Sequence, residues 1–196
     1  YEGYTWDSFN YDENIGENAK MFKYKYISGS YGDYSHSEGV NCVACEIGSH
    51  ASGCNTNSQG QYSHTEGNLT LASGNYSHSE GVYSISVGVG SHSEGNSSIA
   101  SGDYSHAEGS KTTASGFNSH AEGEMTKTIG DSSHAEGISS VSEGLGSHAE
   151  GSNTYASGDS SHAEGLRCDT YGIAAHAEGG DTSAEGDYSH AEGGGT

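Results

Sequence analysis

The sequence predicts an all-β protein, a parallel β-roll (β-solenoid) of twelve coils with fourteen residues in each coil. Three observations lead to this prediction. The twelve histidines follow one another at intervals of fourteen residues, from His36 to His190. Glycine recurs at every seventh position from Gly53 to Gly193, and the residue two positions before each of these glycines is always Ala, Ser or Thr. A short, fixed period of this kind is typical of solenoids, in which each coil contacts only its neighbours.

The composition excludes an ordinary globular core. The 196 residues include 32 glycines and no proline, and Leu, Ile, Val and Phe together number only 21. With a formal net charge of −21, this inventory on its own is typical of a disordered chain. The repeat supplies what the composition lacks, because stacked coils satisfy their backbone groups through one another.

Each unit has two similar halves of seven residues. One half reads Ser-His-Ala-Glu-Gly, as at 105–109 and 161–165, and the other is of the type Thr-x-Ala-Ser-Gly. The alternation predicts a short strand in which Ala faces inward while His and Glu face outward. The glycine that follows allows the positive φ of a sharp corner. A coiled coil is excluded, because a glycine in every heptad costs about 1 kcal/mol relative to alanine and no apolar a/d seam exists.

Stacking these units predicts a thin rod. Successive coils lie about 4.8 Å apart, so twelve coils give a rod of about 58 Å. The column that is always small becomes the inside of the coil, since the two walls of such a narrow roll nearly touch.

The repeat divides the chain into three parts. Residues 32–193 form the β-roll, residues 1–31 are expected to be an N-terminal cap or the edge of a preceding domain, and residues 194–196 are expected to be an exit linker. The sequence opens at Tyr1 without methionine, which indicates a processed form or a fragment. We expect no membrane insertion, because no stretch is apolar enough, and no nucleic-acid partner, because six Lys and Arg stand against 27 Asp and Glu.

The motif Ala-Ser-Gly-x-x-Ser-His-Ala-Glu-Gly occurs at 100–109, 114–123 and 156–165. It resembles the YadA-like head repeats of trimeric autotransporter adhesins, and more closely the Ser-His-Ala-Glu-Gly variant of phage tail appendages and other bacterial surface proteins. The resemblance covers residues 32–193. It implies a left-handed parallel β-roll, a side-by-side homotrimer, and a place on a cell surface or virion. The adhesin heads carry Val and Ile where this chain carries His and Glu, so a hydrophobic trimer interface and the adhesins' receptor preferences are not implied.

The outward His and Glu columns are the candidate functional site. The histidine never varies, and Glu follows it by two positions in eleven of twelve units, with Ser52 as the exception, although segments such as 68–71 and 124–127 vary freely. A solvated face does not need this constancy, so we expect other copies of the chain to cover it through a pH-sensitive ladder of His–Glu contacts between subunits. The predicted subunit-interface ladder consists of His36, Glu38, His50, His64, Glu66, His78, Glu80, His92, Glu94, His106, Glu108, His120, Glu122, His134, Glu136, His148, Glu150, His162, Glu164, His176, Glu178, His190 and Glu192.

Three other interpretations of the His-x-Glu pattern stay open. Three histidines around a three-fold axis can hold Zn²⁺ or Ni²⁺. His and Glu can act as a general acid and base. The pattern can also be an exposed polar ladder on a monomer. We predict no enzyme, because no unique nucleophile or pocket signature stands out. We also predict no metal and no cofactor, because twelve identical sites would be unusual for catalysis.

The predicted function is structural and adhesive: a stiff shaft or head of an extracellular trimeric fibre that attaches to a host-surface receptor or glycan. Five tyrosines, each two positions before a histidine, can line a flank for sugar stacking or pack at the corner; they are Tyr34, Tyr62, Tyr76, Tyr104 and Tyr188.

Two alternative functions are a self-polymerising extracellular filament and an ice- or surface-binding solenoid. The ice-binding alternative rests on a column six residues after each histidine, which is largely Thr or Ser and includes Thr56, Thr70, Thr112, Thr126, Thr154 and Thr182.

The four cysteines make no disulfide framework. Cys42 and Cys45 form a CxxC without a second pair to complete a zinc site, so small residues at a surface turn are the simpler interpretation. A cross-link among Cys42, Cys45 and Cys54 is possible on neighbouring coils, whereas Cys168 stands alone.

Overall fold

The computed structural model describes residues 20–21 and 28–195. Over these residues the protein is an all-β parallel solenoid of about twelve turns of about fourteen residues, which confirms the predicted fold class. The described part contains no helix, and so none with the length and apolar character needed to cross a membrane.

Two parallel sheets form the walls of the roll, with strands numbered in chain order. The first sheet contains the odd-numbered strands, which begin at the histidines from His36 onward. Its strands are β1 Lys20–Met21, β3 His36–Val40, β5 His50–Cys54, β7 His64–Thr65, β9 His78–Ser79, β11 His92–Asn96, β13 His106–Ser110, β15 His120–Glu124, β17 His134–Ile138, β19 His148–Ser152, β21 His162–Leu166, β23 His176–Gly180 and β25 His190–Gly194.

The second sheet is built from the other half of each unit, and all its strands have two residues. Its strands are β2 Gly29–Ser30, β4 Val43–Ala44, β6 Asn57–Ser58, β8 Leu71–Ala72, β10 Ile85–Ser86, β12 Ile99–Ala100, β14 Thr113–Ala114, β16 Lys127–Thr128, β18 Val141–Ser142, β20 Tyr155–Ala156, β22 Asp169–Thr170 and β24 Ser183–Ala184.

Equivalent positions of successive coils pair with each other. His106 pairs with His120 and Glu108 with Glu122, and this offset of fourteen residues repeats along the rod. The two sheets begin before residue 32, because β1 pairs with β3 and β2 pairs with β4. At the other end β25 reaches Gly194, one residue past the predicted end of the roll. The expected cap in residues 1–31 otherwise lies mostly outside the described residues.

The interior is narrow and built from small side chains, as predicted. The buried hydrophobic residues are alanines and two cysteines, and the largest fully buried side chains are threonines. Many of the buried hydroxyls are satisfied locally: Ser63 Oγ donates to the Gly60 carbonyl at 2.7 Å, and Ser86 and Ser93 share a hydrogen bond of 2.7 Å. Polar side chains are tolerated inside because these hydrogen bonds offset their desolvation.

The two glycine columns meet different needs, which corrects part of the prediction. Glycines three residues after a histidine have φ between 96° and 114°, as expected. The other column has no positive φ; a Cβ at Gly130 would instead lie 2.6 Å from the Glu143 carbonyl oxygen on the next coil. The left-handed corners lie two residues after each glycine. They carry many residue types, such as Met125 and Ser132, and non-glycine residues there have φ of 51° to 60°.

A longer period of twenty-eight residues runs along one corner. Three residues before the histidine, aspartate alternates with an apolar residue from coil to coil over 89–187. Each aspartate accepts a hydrogen bond of 2.8 to 2.9 Å from the backbone N–H of the apolar residue one coil earlier. The pairs are Val89 with Asp103, Phe117 with Asp131, Leu145 with Asp159, and Ile173 with Asp187.

The four cysteines are free thiols. Cys42 and Cys168 are buried, and the Cys42 thiol donates to the Gly53 carbonyl at 3.2 Å, while Cys45 and Cys54 are partly exposed. The cross-link that the sequence allows is therefore not formed.

Candidate functional site

The His and Glu columns lie on the outward face of the first sheet. Successive side chains of a strand point to opposite sides, so the buried Ala or Ser between them places His and Glu on the same face. The histidine side chains of the contacting pairs are 33% to 36% exposed, and the glutamates 29% to 58%. The predicted ladder thus occupies one continuous surface, which we call the histidine–glutamate face.

The imidazole rings form a single stack along this face. From His50 to His190, adjacent ring centroids lie 4.6 to 4.9 Å apart and adjacent ring planes are within 12° of parallel. His36 meets His50 edge-on, with planes 60° apart. The stack follows directly from the fourteen-residue register, because identical residues at identical positions repeat at the coil spacing.

The imidazole Nε2 atoms approach the glutamates without forming hydrogen bonds. In eight pairs the Nε2 lies 3.6 to 3.9 Å from a carboxylate oxygen, which is beyond hydrogen-bonding range. Most pairs join a histidine to the glutamate two residues later, whereas His92 contacts Glu80 of the preceding coil. The Nε2 atom is shielded from solvent and lacks a hydrogen-bond partner in His50, His64, His78, His92, His106, His120, His134, His148, His162 and His176.

Three neighbouring glutamates of the face, Glu66, Glu80 and Glu94, lie close enough for hydrogen bonds between their carboxyl groups. Hydrogen bonds to Glu66 and Glu94 raise the pKa of Glu80 to about 7, and the same bonds lower the pKa of those two neighbours. Burial is the main cause that raises the pKa of Glu122. The pKa of Glu80 in the folded protein exceeds its ordinary value of 4.5. The protonated Glu80 carboxyl therefore stabilises the fold fully below about pH 4.5, and this stabilisation is lost as the pH rises through about 7.

Four histidines of the face favour the neutral imidazole. Burial, followed by the charge of neighbouring histidines, lowers the pKa of His50, His78, His106 and His134 below 6.5. Their stabilising contribution is therefore complete above about 6.5 and is lost as the pH falls through the lowered folded value. Glu80 and these four histidines thus respond to pH in opposite directions.

Two histidines and one glutamate come together repeatedly within one chain. Their ligand atoms lie within 4.8 Å of one another in sets such as His106, Glu108 and His120, or His134, Glu136 and His148. The sequence analysis predicted no metal and considered, as an alternative, only a site of three histidines around a three-fold axis. The grouping within a single chain was missed, although the fourteen-residue register of both columns already contained it.

The threonine column that supported the ice-binding alternative faces the interior. All six of its threonines are 2% exposed or less. Because these side chains are buried, they cannot contact ice or any other surface. The corner before each threonine turns its side chain toward the interior. The ice-binding interpretation of this column is wrong.

The tyrosines two positions before a histidine lie at a left-handed corner and are 54% to 80% exposed. Tyr62 stacks on Tyr76 with ring centroids 5.4 Å apart. The Tyr62 ring also leans over the preceding coil, where a Cβ at Gly48 would lie 2.6 Å from it. The rings therefore cover part of the corner and still present an accessible aromatic surface.

Neither a scan against protein-family models nor a search of curated proteins gives a match for this chain.

Proposed function

We propose that the chain is a structural and adhesive shaft or head of an extracellular fibre, in which three copies pack side by side through the histidine–glutamate face. The observation that carries the proposal is an outward face on which the histidine never varies and the glutamate is replaced in only one of twelve units, at Ser52. The interior columns are constrained by packing, and the glycine three residues after each histidine, which is at least partly exposed, is constrained by its positive φ. The remaining outward columns vary from coil to coil. We infer that a contact explains the constancy of the His and Glu columns.

The chemistry of the face suits a closed ring of three. A three-fold assembly uses a heterologous contact, in which one patch meets a different patch on the next copy. The His and Glu columns run side by side and differ in kind, since an imidazole N–H donates hydrogen bonds and a carboxylate accepts them. His of one copy against Glu of the next therefore makes one polar layer per coil. If one copy slides along the axis of its neighbour, the His and Glu residues match again only after a shift of a whole coil. The contact therefore also fixes the axial register of the copies.

The exposed tyrosines supply an attachment surface in this proposal. Aromatic faces stack on apolar ligand surfaces while the phenol hydroxyl hydrogen-bonds. The stacked pair Tyr62 and Tyr76, on adjacent coils, offers such a surface to a glycan. The acidic character of the chain, with 27 Asp and Glu against six Lys and Arg, favours partners that are not strongly anionic.

Sedimentation equilibrium of the full 196-residue chain tests the assembly. The expected mass is three times 20.2 kDa, or about 61 kDa. Glu136→Lys, on the face, should reduce the trimer fraction, whereas Glu143→Lys, exposed on the other wall, changes the charge equally and should leave it intact. Circular dichroism checks that both variants fold. A wild-type mass near 20 kDa at all concentrations would refute the proposal, and a mass that keeps growing with concentration would favour the filament alternative.

A further inference from the structure

We propose that the histidine–glutamate face binds Zn²⁺, with each ion held by two histidines of adjacent coils and by the glutamate that follows the first of them. The set His106, Glu108 and His120 is one such site, and the set His134, Glu136 and His148 is another. The inference uses atoms of one chain only, so it does not depend on the proposed trimer.

The distances between imidazoles and carboxylates fit a bridging ion better than a hydrogen bond. Zn–N and Zn–O bonds are each about 2.0 Å, so their ligand atoms lie about 3.3 Å apart in a tetrahedral site and at most about 4.1 Å apart. The observed Nε2 to carboxylate distances of 3.6 to 3.9 Å fall between these limits. In the ten histidines from His50 to His176, Nε2 is also without a hydrogen-bond partner, which a bound ion would supply.

The ring spacing decides how many ions a chain can hold. Adjacent imidazoles are 4.8 Å apart, and two Zn–N bonds span at most about 4.1 Å, so the two rings of a site must tilt toward each other. That tilt opens the gaps on either side. In addition, His120 belongs to two of the sets, and its Nε2 has one lone pair to give. Ions therefore occupy alternate gaps, and twelve histidines hold at most six ions.

The ligand set indicates the class of ion. Two neutral imidazoles and one carboxylate are the ligands of open zinc sites, in which water takes the fourth position. Such a set also suits Ni²⁺ and Cu²⁺, which bind nitrogen ligands tightly, whereas Ca²⁺ and Mg²⁺ prefer oxygen ligands alone. The net charge of −21 draws divalent cations to the rod, so an experiment has to separate site binding from general attraction.

Equilibrium dialysis of the full chain against ZnCl₂ after removal of metals by EDTA measures the number of bound ions. We expect saturation at no more than six Zn²⁺ per chain, and X-ray absorption at the zinc edge should show two imidazoles per ion. Saturation near twelve, one imidazole per ion, or no zinc retained at micromolar concentrations would each overturn the inference.

Two sets of charge-matched variants separate the sites from general attraction. Changing Glu108, Glu122, Glu136 and Glu150 together to Gln removes the carboxylate from consecutive sites, and we expect the loss of about two ions per chain. Changing Glu46, Glu143 and Glu185 to Gln and Asp187 to Asn removes the same charge from exposed positions outside the strands of the first sheet, and binding should persist. Equal zinc binding by the two sets of variants would contradict the inference.

The same samples distinguish this inference from the proposed assembly. A monomer that binds zinc at the expected stoichiometry refutes the trimer and supports the metal site. A trimer that binds no zinc does the reverse. Sedimentation with and without ZnCl₂ therefore gives each proposal its own outcome.

Discussion

Replacing Gly130 by alanine should strongly destabilise the rod, even though its backbone conformation suits any residue. The new Cβ would lie 2.6 Å from the Glu143 carbonyl oxygen of the next coil, and closer still to that of Gly144. Ordinary contact requires about 3.4 Å, and the obstructing atoms are backbone. Relieving the Glu143 contact alone requires the coils to part by about 0.8 Å, and the closer Gly144 contact requires more. Glycine is thus required at this corner because two coils approach closely, and not because the backbone needs a positive φ.

The loss of stability expected for Gly130→Ala can be worked out from the backbone hydrogen bonds between these two coils. The Ile129 N–H donates to the Ser142 carbonyl at 2.8 Å, and a shift of about 0.8 Å would stretch that bond beyond the usual range. Losing a backbone hydrogen bond and leaving its groups buried costs about 1 to 3 kcal/mol, and the disturbed packing adds about 1 kcal/mol or more. We expect a total near 3 kcal/mol.

Gly146→Ala is the matched control. Gly146 has a φ of 60°, and apart from Gly146 itself and its two chain neighbours no heavy atom of the described residues lies within 4 Å of the position that an alanine Cβ would take. Alanine there therefore costs only about 1 kcal/mol for the left-handed conformation. Both variants restrict the unfolded chain equally, so that contribution cancels in the comparison. Urea unfolding followed by circular dichroism, at one protein concentration, measures the difference. A difference below about 1 kcal/mol, or the reverse order, would refute the close-approach explanation.

Three further predictions concern the face, the corner and the interior. Glu80→Gln should stabilise the protein more at pH 8 than at pH 5, because the carboxyl, with a pKa of about 7, is forced to ionise at the higher pH; equal thermal shifts at both pH values would contradict this. Asp131→Ala removes the acceptor for the Phe117 N–H at 2.9 Å and should cost about 1 kcal/mol in urea unfolding, while Asp131→Asn, which keeps an acceptor oxygen, should cost less. Ala135→Leu should lower the free energy of unfolding by about 3 kcal/mol because it overpacks the interior. Ala135→Ser should be tolerated because Ser93 occupies the same column. Equal thermal stability of the two variants would show that the interior is not close-packed.

Most of the fold could be predicted because one period governs it. The position of each histidine fixed the coil length, and the small residue after it fixed the inward direction, as the fully buried Ala107 and Ala121 confirm. The corners could not be predicted as well. Residues such as Met125 take a left-handed conformation that their own chemistry disfavours, because the neighbouring coils determine the path of the backbone.

The site was predicted in its location and missed in its detail. The sequence placed His120 and Glu122 outward on one face, and the structure places them there. It did not reveal that each Nε2 lies too far from its carboxylate for a hydrogen bond, since that distance depends on rotamers and on ring stacking between coils. The buried threonine column, including Thr126, was misjudged because an alternating pattern does not say which way a residue points immediately after a corner.

The alternation of aspartate and apolar residues at one corner bears on how such a rod can change its length. Deleting residues 117–144 removes two coils, about 9.6 Å of rod at this spacing, and puts Leu145 where Phe117 stood, so the alternation survives. Deleting 117–130 alone brings Asp131 beside Asp103 and sets two carboxylates in adjacent coils. Replication slippage in the gene that adds or removes pairs of coils should therefore yield stably folded rods more readily than slippage by single coils.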